Sequence, residues 1–378
     1  MFHSLKIKKG FLTTLVLLLC VALLASLAGC GGGSGKDKKD EVGQAAPSGD
    51  KPLVVFAQKS LGYYFFVAEQ ESLKRAVEAK GWRFESAVAD FDSAKQTNQF
   101  INFIAKKPIA ILSDPIDSEG LITAVDKAAK ENNIPVGIVD TPTTGGKVAI
   151  TVAFDNKLAG EMAAKEIVKR LEQKYGEPKG IVLNAYGAMS SWAWRLRKEG
   201  FDEVMKQYPN IKYLAMPGEG DMTKTHDALV NALAQYPNLD AVHAPSDTPA
   251  LGLFEALKQK NKLFKVGEKG HVIFVTIDSE PVAHQKIKEG WYDASINQDA
   301  VSYGQIAIEL MEKHTLKGED IPLGKYTNDK YYWKEAEIKS SPSGPYLIIP
   351  PFVVDKSNVD DPRMWGNITF NEWGLKYN

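Results

Sequence analysis

Residues 53–82 read LVVFAQKSLGYYFFVAEQESLKRAVEAKGW, and the architecture of the chain can be worked out from this segment. It begins with five apolar residues, 53–57, whose length and content of β-branched and aromatic side chains are typical of a strand buried on both faces. A turn at 58–62 leads to four consecutive aromatic residues at 63–66, and apolar positions then recur near helical spacing until Gly81 supplies a stop. The segment predicts a strand, a loop and a helix. The aromatic residues fall in the loop, at the strand end where open α/β sheets bind ligands, so they either join the core or face a ligand.

The same alternation of apolar runs and helical segments continues through most of the chain. Strict alternation implies right-handed crossovers and parallel sheets. The predicted strands are more numerous than one sheet usually contains, and the chain is longer than one hydrophobic core normally serves. We therefore predict an α/β fold of two doubly wound parallel-sheet lobes joined by a hinge. The predicted strands are residues 53–57, 84–88, 110–112, 136–139, 149–152, 181–184, 212–215, 241–244, 272–277 and 293–296.

The N-terminus has the pattern of an export signal. Lysines at 6, 8 and 9 precede an apolar run, 11–27, that ends in Leu-Ala-Gly-Cys30. Small residues followed by cysteine are typical of the lipobox of bacterial lipoproteins, which predicts cleavage before Cys30 and a lipid on its sulfur. An ordinary signal peptide with an incidental cysteine is the alternative. We expect a signal peptide at 1–29, a flexible Gly-rich and polar tether at 30–51, and an exported protein anchored by lipid to the outer face of the cell membrane.

Composition restricts the chemistry and the partners of the chain. The second cysteine, Cys20, lies in the segment to be removed, so the mature chain has no disulfide and no free thiol. Removal of residues 1–29 takes three lysines and no acid, which changes the formal charge from −1 to −4. A mildly acidic chain without a basic block argues against nucleic-acid binding. The motifs of hydrolytic, metal, redox and nucleotide sites are missing, so we predict no enzyme, no cofactor and no metal.

Several predicted strands end in aspartate. Asp114, Asp140, Asp247 and Asp278 all follow an apolar run at its carboxyl end, as do Asp90 and Asp155. A single aspartate in that place is a good helix N-cap. A set of them suits the binding of hydroxyl groups, because a charged acceptor makes a hydrogen bond roughly twice as strong as a neutral one.

With these features, residues 53–355 resemble the ribose-type periplasmic sugar-binding proteins, the type I solute-binding components of ABC importers. Phe65-Phe66 resembles the aromatic pair that stacks on a sugar ring. Asp140, after Ile-Pro-Val, and Asp278 resemble the two aspartates that bind hydroxyls, and Arg195 and Gln298 resemble further binding residues. The candidate ligand site comprises Tyr64, Phe65, Phe66, Asp114, Asp140, Trp192, Trp194, Arg195, Ser246, Asp247, Asp278 and Gln298. The two tryptophans either form the opposite wall of an aromatic sandwich or pack on a neighbouring helix.

The resemblance also implies a division of the chain into lobes. We expect an N-terminal lobe of residues 52–155 plus about 299–340, and a C-terminal lobe of 156–298 plus about 341–378. The aromatic-rich segment past residue 324 either packs across the hinge side or decorates the surface.

The sequence departs from the family pattern at the predicted site. Thr141 stands where the family commonly has arginine, and Ser246 and Asp114 stand where it has asparagine. Tyr63-Tyr64 replaces an Asn-Pro pair. These departures leave the identity of the sugar open.

The expected function is capture of a monosaccharide (a pentose, a hexose or a related polyol) by hinge closure and its delivery to an ABC permease. The expected protein is a monomer. The alternative is a sensor that presents a sugar or a furanosyl signal to a membrane receptor or a histidine kinase.

Overall fold

The computed structural model describes residues 51–376. Cys30, the predicted signal peptide and the tether up to residue 50 lie outside the described residues. All ten predicted strands form, each within two residues of its predicted bounds. They are β1 (Leu53–Gln58), β2 (Arg83–Val88), β3 (Ala110–Ser113), β4 (Val136–Asp140), β5 (Ile150–Phe154), β6 (Gly180–Tyr186), β7 (Ile211–Pro217), β8 (Ala241–His243), β9 (Ile273–Asp278) and β10 (Ala294–Asn297).

Helices connect these strands, and four further strands follow them. The helices are α1 (Tyr64–Glu78), α2 (Ser93–Ala105), α3 (Ile122–Asp126), α4 (Asn156–Tyr175), α5 (Trp192–Met205), α6 (Met222–Gln235), α7 (Asp247–Gln259), α8 (Pro281–Glu289), α9 (Ala300–Lys313) and α10 (Trp365–Asn367). The later strands are β11 (Gly324–Thr327), β12 (Glu335–Ser341), β13 (Gly344–Ile349) and β14 (Phe352–Val354).

The described strands form two sheets. The first has the order β11-β12-β13-β5-β4-β3-β1-β2, and the second has the order β14-β10-β9-β8-β6-β7. β1 to β5 run parallel to one another, as do β6 to β10, whereas β11 and β12 form an antiparallel edge and β14 lies antiparallel to β10. The predicted pair of parallel-sheet α/β lobes is confirmed, with antiparallel additions at the edges.

Helices cover both faces of the parallel part of each sheet, which explains why β1 is buried along its whole length. In the first lobe, α1 and α9 pack on one face, and α2 and α3 pack on the other. In the second lobe, α4 and α5 cover one face, and α6 and α7 cover the other. Each lobe thus encloses its sheet between two helical layers, and the carboxyl ends of the strands remain at the edge of the core.

The chain passes between the lobes three times, at 154–156, 297–300 and 349–352. The third crossing lies later than predicted. The sequence places residues from about 341 in the C-terminal lobe, but β13 pairs in parallel with β5 of the first sheet. Its apolar residues, Leu347 and Ile349, cover the edge that β5 would otherwise expose.

Three of the four aromatic residues at 63–66 lie in a helix rather than in a loop. α1 begins at Tyr64, so Tyr64, Phe65 and Phe66 form its first turn. This placement separates the side chains, because consecutive residues of a helix point in different directions. Tyr64 and Phe65 are buried, whereas Phe66 is half-buried.

The C-terminal segment contacts both lobes. Trp365 is 1% exposed, and its ring centroid lies 6.2 Å from that of Tyr64 in the first lobe. Its Nε1 donates to the main-chain oxygen of Asp278 in the second lobe, at 2.9 Å. Across residues 51–376 no helix combines the length and the apolar character needed to cross a membrane.

Candidate functional site

A cleft of about 590 Å³ lies between the two lobes. The carboxyl ends of β1 and β4 face it from the first lobe, and the carboxyl end of β9 faces it from the second. This is the position at which open α/β sheets bind ligands.

On the first-lobe side, Lys59 holds two carboxylates together at the floor of the cleft. Its Nζ lies 2.7 Å from Asp114 Oδ1 and 3.1 Å from Asp140 Oδ2, and it donates to Thr141 Oγ1 at 2.6 Å. Burial lowers the pKa of Lys59, but the adjacent charges of Asp114 and Asp140 outweigh burial and raise it above its usual range. Lys59 is therefore a buried, permanently charged ammonium group.

On the second-lobe side, Arg197 has the corresponding role. Its Nη1 donates to Asp278 Oδ1 at 2.8 Å and to Ser246 Oγ at 3.1 Å, and its Nε donates to Asn156 Oδ1 at 2.9 Å. The guanidinium is 3% exposed and also donates through Nη2 to Gln298 Oε1. Such a planar fork of donors suits buried charge pairing.

Gln298 joins the two halves of this network. It lies in the second crossing between the lobes, and its Nε2 donates to Asp140 Oδ1 at 2.7 Å and to Tyr303 Oη at 2.9 Å. Hydrogen bonds and ion pairs therefore run without interruption from Asp114 in the first lobe to Asp278 in the second.

The two aspartates at the floor share an uncommon backbone conformation. Asp140 ends β4 with φ of 57°, and Asp278 ends β9 with φ of 108°, followed by Ser279 at 63°. Non-glycine residues held at such angles cost about 1–3 kcal/mol each and cluster at ligand sites. Both aspartates with this conformation line the cleft.

Aromatic rings form the wall above the floor. The Tyr63 ring centroid lies 5.8 Å from that of Phe66, 6.2 Å from that of Phe91 and 6.5 Å from that of Trp194. Trp194 belongs to the second lobe, and its Nε1 donates to Ser246 Oγ at 2.9 Å. Tyr63 Oη donates to the main-chain oxygen of Gly220 at 3.1 Å, so the lobes also touch at this wall.

Glu280 adds a further buried carboxyl group to the cleft. It is 1% exposed, and it accepts a hydrogen bond from Thr248 Oγ1 at 3.2 Å. Burial raises the pKa of Glu280 well above its usual range, and the charges of Asp247 and Asp278 raise it further.

Nine of the twelve predicted site residues line the cleft. They are Phe65, Phe66, Asp140, Trp192, Trp194, Arg195, Ser246, Asp278 and Gln298.

The structure does not bring the other three to the cleft surface. Tyr64 packs against Trp365 behind the wall. Asp114 is fully buried and lies behind Lys59, and Asp247 is fully buried while it accepts the Glu280 amide at 2.6 Å.

The arginine of the network is Arg197 rather than Arg195. Arg195 lies at the rim, donates to the main-chain oxygen of Met189 at 3.3 Å, and places its guanidinium carbon 5.1 Å from the Trp192 ring centroid. Helical periodicity carries a signal that separates the two. Arg197 shares the buried face of α5 with Phe201 and Val204, whereas Arg195 does not.

Sequence reasoning also missed Lys59, Phe91 and Glu280. Lys59 directly follows a fully buried strand, and Glu280 stands two residues after Asp278, which are weak signals of burial. In the part of the chain that the structure describes, no cluster of three or more His, Cys, Asp or Glu side chains is arranged to hold a metal ion.

A family model for the periplasmic binding protein domain matches residues 54–320, and the chain belongs to that family. It is therefore a member of a class of extracytoplasmic solute-binding proteins that work with ABC transporters and are not enzymes, which confirms the predicted resemblance.

Curated relatives are sugar-import proteins. The chain is 28% identical over 279 residues to the ribose import binding protein of Salmonella typhimurium, which covers 74% of this chain and 89% of the relative. It is 26% identical over 276 residues to the D-allose-binding periplasmic protein of Escherichia coli, which covers 71% and 86% of the two chains.

Solved structures show the same architecture. An ABC transporter solute-binding protein from Mycobacterium smegmatis with bound glycerol is 25% identical, with a TM-score of 0.67 over 83% of this chain and 97% of that one. A periplasmic solute-binding protein from Actinobacillus succinogenes with bound D-allose is 23% identical, with a TM-score of 0.69 over 82% and 100%.

Proposed function

We propose that this chain is a lipid-anchored, monomeric binding protein that captures a sugar (a pentose, a hexose or a related polyol) between its lobes and delivers it to an ABC permease. The curated relatives named for ribose and D-allose support a sugar as the ligand. The observation that carries the proposal is the charged network of the cleft floor, whose members come from both lobes.

Each part of the site has a separate task in this proposal. Asp140 and Asp278 accept hydrogen bonds from sugar hydroxyls, because each carboxylate oxygen has two acceptor sites and each residue has only part of them occupied. Lys59 and Arg197 hold these carboxylates in place by ion pairs. Phe66 and Trp194 cover the C–H faces of the ring.

Specificity follows from the burial of these groups. A ligand lacking one hydroxyl leaves a buried charged acceptor unpaired, which costs about 1–3 kcal/mol or more. A site of this kind rejects analogues mainly by that penalty.

A thermal-shift screen tests the proposal. The purified chain is melted with pentoses, hexoses, deoxysugars and polyols, because a ligand that binds only the folded state adds about 2.7 kcal/mol of stability at one hundred times its Kd. The site is supported if a sugar raises the melting temperature of the natural chain and if Asp140→Ala and Arg197→Ala each abolish that rise. The control is Asp126→Ala, which removes an exposed ion pair with Lys130 on the surface. A panel without any hit contradicts the proposal.

Closure of the lobes is tested by small-angle scattering of the chain with and without the sugar hit. The network through Gln298 and the contact between Tyr63 and Gly220 both require close lobes, so the ligand should favour the compact form. An unchanged radius of gyration with saturating sugar contradicts closure.

Anchoring is tested at Cys30, which precedes the described residues. Cys30→Ser should move the protein from the detergent phase to the aqueous phase in a phase-separation assay, because the acyl chains are lost. Equal partitioning of both proteins contradicts the lipid anchor and leaves the sugar site untouched.

A further inference from the structure

The mouth of the cleft exposes large aromatic side chains on both lobes. Phe91, in the loop between β2 and α2, is 50% exposed, and Trp192, the first residue of α5, is 37% exposed. Both side chains line the cleft. Exposed apolar surface at the rim of a ligand groove is typical of a contact site.

The backbone holds Phe91 in this position at a cost. Asp90 and Phe91 are consecutive non-glycine residues with φ of 55° and 62°. Each such residue costs about 1–3 kcal/mol, and residues of this kind cluster at ligand clamps. The Phe91 amide donates to the main-chain oxygen of Lys59 at 2.9 Å, and the ring lies edge-on to Tyr63 and Phe66, at 6.2 and 6.0 Å between centroids. The strained loop thus continues the aromatic wall outward.

The opposite lobe holds Trp192 in place in a different way. Arg195 places its guanidinium carbon 5.1 Å from the centroid of the indole ring, and it is tied to the Met189 carbonyl. Cation–π contact and the hydrogen bond together fix a side chain that would otherwise rotate freely. The mouth therefore has one positioned ring on each lobe.

The cleft is larger than one sugar ring. A hexose contains six CH₂O units, each with about the 30 Å³ that a water molecule occupies, so it fills roughly 180 Å³. The cleft measures about 590 Å³. One ring on the charged floor leaves more than half of the volume unfilled, and that remainder includes the mouth.

The mouth also has hydroxyl groups that suit a polar ring. Ser93, Thr144 and Ser190 are exposed and line the cleft. Aromatic faces beside hydroxyl groups match a sugar ring, which has apolar C–H faces and a polar edge.

We propose that the cleft has an outer subsite, formed by Phe91 and Trp192, for a second sugar ring, so that the pentose or hexose on the charged floor is bound as one ring of a disaccharide. This inference rests on the proposed sugar-binding function and adds a second ring of the same chemistry to the sugar on the floor. Phe91 and Trp192 act as specificity-determining residues for the second ring.

Isothermal titration calorimetry tests this inference on the full chain, purified in a detergent without a sugar headgroup. Cellobiose, maltose, lactose, melibiose, xylobiose and arabinobiose are each compared with their constituent monosaccharides. At least one disaccharide should bind about tenfold more tightly than its constituents, a difference of about 1.4 kcal/mol.

Variants at the mouth identify the subsite. Phe91→Ala and Trp192→Ala should each weaken the disaccharide about tenfold, while affinity for the monosaccharide stays within about twofold. Phe370→Ala is the matched control, because Phe370 is 52% exposed and does not line the cleft. It should change neither affinity.

The outcomes separate this inference from the function on which it rests. If a monosaccharide binds as tightly as every disaccharide that contains it, or if the disaccharides are excluded, the outer subsite is refuted and sugar binding stands. If the disaccharide gain survives both mouth variants, Phe91 and Trp192 do not form the subsite. If no sugar of either size binds, the proposed function itself is refuted.

Discussion

Replacing Lys59 by methionine should strongly destabilise the folded protein. The change keeps an unbranched side chain, one heavy atom shorter, and removes its charge, so Asp114 and Asp140 lose their shared cation. The side chains of Lys59 and the two aspartates are 10%, 0% and 7% exposed, and the ion-pair distances are 2.7 and 3.1 Å. Removing one partner of a buried ion pair costs about 3–5 kcal/mol, because the remaining charge is buried without compensation.

The assay is guanidinium unfolding of Lys59→Met beside a matched surface variant, Lys130→Met. Lys130 also pairs with an aspartate at 2.7 Å, but the two side chains are 56% and 30% exposed. Solvent screens such a pair, so its loss should cost at most about 1 kcal/mol. Burial, and not ion-pair distance, is the variable that differs between the two variants.

A double variant locates the effect. Asp114→Asn removes one of the two carboxyl groups that lose their cation, so it should cost less in the Lys59→Met background than in the natural chain, with a coupling energy of about 1 kcal/mol or more. If Lys59→Met unfolds at the same denaturant concentration as Lys130→Met, or if the two changes at the floor are additive, Lys59 does not act through these aspartates.

Three further predictions concern the remainder of the site. Burial raises the pKa of Asp278 to about 6, although the charge of Arg197 opposes this shift. Because the acceptor becomes protonated, sugar affinity measured by calorimetry should fall about tenfold from pH 7.5 to pH 5. A flat profile would show that Asp278 does not act as a carboxylate. Gly160→Ala places a Cβ against the Arg197 carbonyl and 2.9 Å from the Arg197 Cα. The change should lower the free energy of unfolding by about 1–3 kcal/mol in a denaturant titration and weaken sugar binding. Gly176→Ala, whose Cβ has no neighbour within 4 Å, should leave sugar binding unchanged. Trp365→Ala should lower the free energy of unfolding by about 3–5 kcal/mol, because it empties a buried aromatic position between the lobes and removes the hydrogen bond to Asp278. A melting temperature equal to that of the natural chain would contradict a structural role for the C-terminal segment.

The sequence predicts the parallel strands well and the edge strands poorly, for one physical reason. β1 is buried along its length, so it reads as an unbroken apolar run. β12 is largely exposed, and its residues EAEIKSS show only one buried position, so nothing in its pattern separates it from a loop. The late third crossing was missed with it, because β12 leads into the strand that covers β5.

The site was predicted where a motif is local and missed where it depends on distant contacts. Asp140 and Asp278 each end a recognisable strand, and both reach the cleft. Lys59 follows a strand too, but a lysine in a turn is normally solvated. Its burial depends on carboxylates that lie 55 or more positions further along the chain, and no local pattern reports that proximity.

The position of Lys59 also explains the departure at residue 141. Thr141, which stands where the resemblance predicts arginine, accepts a hydrogen bond from Lys59 at 2.6 Å. A guanidinium at 141 and an ammonium at 59 would compete for Asp140, and two cations in one buried place repel each other. The small hydroxyl at 141 leaves room for a cation that comes from the end of β1 instead. The cleft thus has a positive group beside Asp140, but the group comes from the end of β1, which β3 separates from β4.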